Sequence, residues 1–207
     1  MNALDLILFV IAAVLLWSRH MRLSILLLAI EGVLLSLMVS ISGQLELSSA
    51  FVALATLTIK AGLIPAVLSK MMSAFPIEVR KDHPLPLWAY AAGLVVTLGA
   101  GHIIQLLGPS HLVQNKFAFF CALSSVYLGM VMIVARHHLL SQIAALVSIE
   151  NGLVLLGVSL AGSLPVIVEL GILVDLAIAV SLLVWMGRRI HLAFQTADVA
   201  VLQRLKG

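Results

Sequence analysis

Glu31, Lys60, Glu150 and Asp175 are four ionisable residues, each near the middle of a separate apolar stretch long enough to cross a bilayer. A charge at the bilayer centre costs about 2.5 kcal/mol or more, so it persists there only if paired, hydrated or neutralised. Burial penalises the charged form of an acid or an amine, and a nearby opposite charge restores it. Groups held between those two influences can load and release protons near neutral pH. Four of them at matching depth predict a path for protons or ions lying in the membrane plane.

The elements that must hold these residues are helices. Apolar runs predict them at about 3–18, 23–42, 49–72, 87–107, 116–135, 139–161 and 165–186. Most reach the ~20 residues needed to cross a ~30 Å hydrocarbon core, and the first is short. Turn-forming or charged segments separate them, among them Ser42-Gly43-Gln44, Gly108-Pro109-Ser110, Arg136-His137-His138 and Gly162-Ser163. At ~1.5 Å per residue, Lys60, Glu150 and Asp175 each fall roughly 15–17 Å from a helix end and Glu31 roughly 12 Å. One thin central slab therefore holds all four.

Composition agrees with a membrane-embedded chain. The 207 residues are 62% hydrophobic and 10% charged, with a mean hydropathy of +1.19. A soluble domain carries roughly 25% charged residues. The net charge of +3 does not point to nucleic acid, because the basic residues are scattered over loops at helix ends. They fall on one side: Arg19, Arg22, Lys70, Arg80, Lys81, Arg136, Arg188, Arg189, Arg204 and Lys206 against Lys116. That asymmetry predicts an N-terminus outside and a cytoplasmic C-terminus. With Asp5 and no basic segment before it, the first apolar stretch reads as a retained helix rather than a cleaved leader.

Other residues carry weaker signals. Thr56, Thr58, Ser36 and Ser148 would extend a relay if they faced the same interior. Glu169 lies six residues before Asp175, as an accessory entry or exit group or a headgroup-level acid. Pro65 should disturb the helix just beyond Lys60 and free a carbonyl there. Gly93, Gly99, Gly101 and Gly157 are expected to allow close helix contact. Cys121 reads as a small buried hydrophobe, and His137 and His138 as boundary residues rather than metal ligands. No cofactor or metal site is expected. Thr196 is expected to cap a short surface helix in the tail.

The two ends of the chain are alike. One helix follows Arg19-His20 and reaches Glu31-Gly32; another follows Arg136-His137 and reaches Glu150-Asn151-Gly152. In each case the next helix carries a central charge, Lys60 or Asp175. The reading is a single membrane domain of two parallel three-helix units, 1–72 and 116–186, joined by a loop and linking helix over 73–115 and followed by a tail over 187–207. A structural alternative for the charges is plain ion pairing, Glu31 with Lys60. No obvious buried cation is available to Glu150 and Asp175 within their own half.

Several segments resemble component E of hydrogenase-4 (HyfE). They are Ala135-Arg136-His137 through Ile149-Glu150-Asn151-Gly152, Val168-Glu169-Leu170-Gly171-Ile172 to Asp175, and Thr196-Ala197-Asp198-Val199 to Leu205-Lys206-Gly207. Arg22-Leu23-Ser24 and Ile59-Lys60-Ala61-Gly62-Leu63-Ile64-Pro65 add to the resemblance. The last three helices also resemble the K subunit of respiratory complex I (NuoK) and the C subunit of Mrp antiporters. In those proteins the second and third helices each carry a glutamate; Glu150 and Asp175 stand in the matching places, the second as a shorter acid.

The resemblance implies a non-catalytic membrane-arm subunit of a complex I-like energy-converting hydrogenase, such as a formate hydrogenlyase, or of a related oxidoreductase. It would sit in a bacterial or archaeal cytoplasmic (inner) membrane beside antiporter-like subunits. Glu150, Asp175, Lys60 and Glu31 would carry a lateral proton relay, and redox chemistry would take place on partners. Two other readings fit the residues: a structural adaptor anchoring antiporter-like partners, and an independent ion or solute carrier.

Overall fold

The computed structural model describes residues 2–42, 47–73, 82–106, 113–161 and 165–194, and the regular elements among them are helices. They are α1 (Asn2–Trp17), α2 (Met21–Ser42), α3 (Leu47–Thr56), α4 (Ile64–Ser73), α5 (Leu87–Leu106), α6 (Lys116–Ala135), α7 (Leu139–Ala161) and α8 (Val166–Phe194). A π-helical segment, Leu57–Leu63, joins α3 directly to α4, so the three form one rod. The chain is a polytopic all-α membrane protein. Among the described residues six helices are long and apolar enough to cross a bilayer, and α1 is a shorter apolar seventh. Residues 195–207, which include the expected tail helix, lie outside the described residues.

Packing joins helices distant in the chain as well as neighbours. α6 lies against α7, α1 and α5; α2 lies against the π segment, α3 and α7; α8 touches α7, α3 and α4. α5 is buried least, packed on α6 with most of its surface outward. Leu15, Leu28, Ile64, Leu68, Met132 and Ile143 belong to the main apolar core between these helices.

Pro65 explains the π segment. It has no N–H to donate to the carbonyl four residues back, and the turn before it widens, with the Ile64 N–H bonded to the Ile59 carbonyl. The disturbance expected near Lys60 is this wider turn.

Of the expected glycines Gly93 makes a tight contact, and the tightest contacts centre on others. A Cβ on Gly32 would sit 2.8 Å from the Ala61 nitrogen and the Lys60 carbonyl carbon; on Gly152, 3.1 Å from the Val126 nitrogen. Both glycines follow the buried acids and let backbones meet there. Gly93 is pressed by Leu16 and Leu128 at 3.3 Å, whereas Gly99 faces open space and Gly101 makes an ordinary contact. Gly187 does not end the last helix. A Cβ there would collide with Leu139 and Met71, so the glycine serves close approach and α8 runs on to Phe194.

Arg136 is a topology marker in the sequence, yet in the fold it is 1% exposed. Its guanidinium donates to the carbonyls of Leu16 (2.8 Å), Ser18 (2.5 Å) and His83 (3.0 Å) and lies 3.7 Å from Asp82. Carbonyls at the end of α1 lack partners within the helix, and a buried arginine supplies them. Burial pushes the guanidinium's pKa down, and the Asp82 carboxylate pulls it back up. One side chain thus joins the α1–α2 turn, the segment before α5 and the end of α6. At the other end of α6, Asn115 caps the helix by accepting from the Phe117 and Ala118 N–H groups.

Candidate functional site: a buried row of charges

Three of the four mid-span charges come together. Lys60 and Glu31 are each 1% exposed and Glu150 is 9% exposed. The Lys60 Nζ lies 2.5 Å from Glu150 Oε2 and donates to Asn151 Oδ1 at 2.9 Å. Asn151 Nδ2 in turn donates to Glu31 Oε2 at 2.9 Å, and the Ser148 hydroxyl donates to Glu31 Oε1 at 3.3 Å. Lysine has only donors and a carboxylate accepts, so the amide between them can face only one way. The order across the protein is Glu31, Asn151, Lys60, Glu150.

Each element contributes through its local shape. α7 supplies Ser148, Glu150 and Asn151 within one turn, and the close approach at Gly152 seats that turn against α6. α2 brings Glu31 in beside Gly32, where its backbone meets the π segment that carries Lys60. The π turn therefore places the ammonium directly across from α7. π segments recur at functional sites because the wider turn redirects side chains.

Charge counting sets the chemistry. Two carboxylates and one ammonium carry a net charge of −1 when all are ionised. In a dry interior that excess is expensive, and one proton or one bound cation removes it. Two small cavities of about 10 Å³ adjoin the cluster, each with room for about one water. The first is lined by Leu8, Glu31, Ser125, Ser148, Asn151, Gly152 and Leu155. The second lies among Thr56, Lys60, Glu150 and Glu169.

Two placements differ from the sequence reading and its ion-pair alternative. Lys60 pairs with Glu150 rather than with Glu31, so the second half borrows its cation from the first. Asp175 does not join the cluster. The inward stripe of α8 is Glu169, Leu173, Leu176, Val180 and Val184, and Asp175 falls off it, exposed beside Val174 and Ile178. Glu169, expected to be accessory, is the α8 acid that faces Lys60 across the second cavity.

The hydroxyls divide likewise. Ser148 and Thr56 reach the cluster or its cavities, Ser36 is spent on the Ala53 carbonyl at 2.8 Å, and Thr58 is exposed and bonded back to Leu54. Asn151 is the bridging residue that was missed. Its signal was the Glu-Asn-Gly sequence itself, a polar pair at mid-span. No group of three or more His, Cys, Asp or Glu with metal-binding geometry occurs among the described residues. Cys121 is buried and free.

The resemblance noted in the sequence is reproduced by comparison. The chain is 35% identical over 119 residues to hydrogenase-4 component E of Escherichia coli K12, which is 58% of this chain and 55% of that protein. The same identity and coverage hold for component E of Shigella flexneri. The match thus spans about half the length of these relatives. An uncharacterised protein of Mycobacterium tuberculosis is 28% identical over 205 residues, covering 95% of this chain and 92% of that one. No family model matches, and no solved structure matches.

Proposed function

We propose that the chain is a membrane-arm subunit of a complex I-like energy-converting hydrogenase or related oxidoreductase, and that it carries part of a lateral proton relay. The observation behind this is the continuous row Glu31–Asn151–Lys60–Glu150 at mid-depth, with Glu169 across a one-water gap. Similarity to hydrogenase-4 component E supports the kind of assembly.

In this reading the row holds one exchangeable proton. A proton arriving at Glu150 frees Lys60 toward Asn151 and Glu31, and one arriving at Glu31 leaves Lys60 on Glu150, so the excess charge shifts along the row without crossing hydrocarbon. Asp175 stands outside the row, on the α8 surface, where it meets a neighbouring subunit of the antiporter-like type. The redox reaction belongs to partner subunits, and this chain catalyses none alone. Ten basic residues against one support a cytoplasmic C-terminus in the inner membrane, with the N-terminus outside. The corresponding helices of the two three-helix units pack in pairs, α1 on α6, α2 on α7 and α3 on α8, which supports the parallel repeat.

The test is Glu150→Gln with Glu31→Gln, both in the row, in the assembled complex. Assembly should persist while proton translocation per turnover falls at least several-fold; unchanged translocation removes the relay. A second reading, a structural adaptor, is favoured by the closed Lys60–Glu150 pair, which can simply lock helices. It predicts that neutral replacements impair assembly before transport.

A further inference from the structure

Asp5 is a buried acid outside the row. It is 0% exposed, and neither carboxylate oxygen has a hydrogen-bond partner. Leaving such a group unsatisfied costs stability, and in native proteins an orphan of this kind marks a role or a water. It lies on the face of α1 that packs on α6, near enough to Cys121 for its charge to bear on the thiol.

Between the depth of Asp5 and that of Glu31, α6 carries two serines beyond the buried Leu8 and Cys121. α1 and α6 start at the same level, tied by a 3.2 Å hydrogen bond from Asn115 to Asn2. At 1.5 Å per residue, Asp5 is roughly 5 Å below the start of α1 and Leu8 roughly 9 Å. On α6, Ser124 and Ser125 lie roughly 12–14 Å below the start. Glu31 is roughly 16 Å from the end of α2 on that same side. The Ser124 hydroxyl is buried and without a hydrogen-bond partner. Ser125, whose hydroxyl donates to the Cys121 carbonyl at 2.8 Å, lines with Leu8 the one-water cavity against Glu31.

We infer that Asp5 is the mouth of a half-channel that carries protons between the membrane face at the starts of α1 and α6 and the buried Glu31. A proton taken up by the Asp5 carboxyl passes along water and the serine hydroxyls, Ser125 turning from the Cys121 carbonyl and each accepting one proton as it gives one, and ends on a Glu31 oxygen. The row then has a transverse connection at its Glu31 end, which lateral transfer alone lacks. The inference rests on the relay reading for its purpose, but its path can be measured in the chain by itself.

The experiment follows the infrared carboxyl signal of Glu31, identified by its loss in Glu31→Gln, after a pH jump on the full chain in lipid nanodiscs. Asp5→Asn should slow that response at least tenfold with its amplitude kept, and Asp5→Glu should stay within about twofold of the unaltered chain. Ser125→Val, which fills the cavity beside Glu31, should slow it similarly and serves if Asp5→Asn fails to fold. An unchanged rate in either folded neutral variant overturns the half-channel and leaves the relay standing. Unchanged pumping in the Glu150→Gln, Glu31→Gln double variant overturns the relay whatever the infrared rate.

Discussion

The ammonium of Lys60 lies 2.5 Å from Glu150, in the other half of the chain, and reaches Glu31 only through the amide of Asn151. The two halves are therefore joined by charge as well as by apolar packing. Glu31 and Lys60 balance within the first half, whereas Glu150 in the second takes its cation from the first.

Lys60→Met leaves two buried carboxylates without a cation. Breaking a buried pair in this way costs about 3–5 kcal/mol, whereas replacing both partners by apolar side chains is often neutral or better. The single variant should unfold at markedly lower temperature, and Lys60→Met with Glu150→Met should regain most of the loss. Differential scanning calorimetry in detergent reads both; a double variant as unstable as the single one is incompatible with the pairing.

Gly32→Ala should be costly although alanine favours helices. The added methyl would sit 2.8 Å from the backbone of Lys60 and Ala61, and backbone cannot turn away as a side chain can. Overpacking of this kind costs about 1–3 kcal/mol. The same thermal measurement should show the loss, and proton translocation should fall with it as Lys60 shifts. Wild-type melting would mean that α2 and the π segment do not touch there.

Arg136→Lys is not a mild change. One guanidinium serves three carbonyls on two segments, and an ammonium on a shorter reach cannot span them. Lysine should lower the melting temperature nearly as much as Arg136→Gln. Cleavage by a protease at the α1–α2 turn should also become faster in both variants. Full retention of stability in the lysine variant would show that the carbonyl contacts contribute little.

Asp175→Asn should behave in the opposite manner. The side chain is exposed on α8, so melting of the isolated chain should not change. Recovery of membrane partners with a tagged chain should drop several-fold, because a mid-span acid on an outer face needs a polar or cationic neighbour. Equal recovery from native membranes would leave Asp175 without a partner.

Most of the helical framework was legible in the sequence because hydrocarbon demands long apolar runs and polar breaks. The expected ends of α6 and α7 agree with those observed. The acids were legible too, since a charge in an apolar run stands out. Which groups would meet was not. α8 is apolar nearly all round, so its periodicity gave no inward face to separate Glu169 from Asp175. Lys60 sits in a π turn, and regular α spacing misplaces its side chain. Arg136 and Asp5 lie near helix ends, where charges are ordinarily solvated, and only the fold reveals their burial.

Chain order gives the ion pair a history. Positions 60 and 150 are 90 residues apart, and synthesis proceeds from the N-terminus. When Lys60 enters the lipid its eventual counter-ion does not yet exist, and Glu31, one helix earlier, is the acid already present at its depth. The lysine must therefore change companions as the later helices arrive, and the nascent N-terminal half stays provisional until translation of the other half is well advanced.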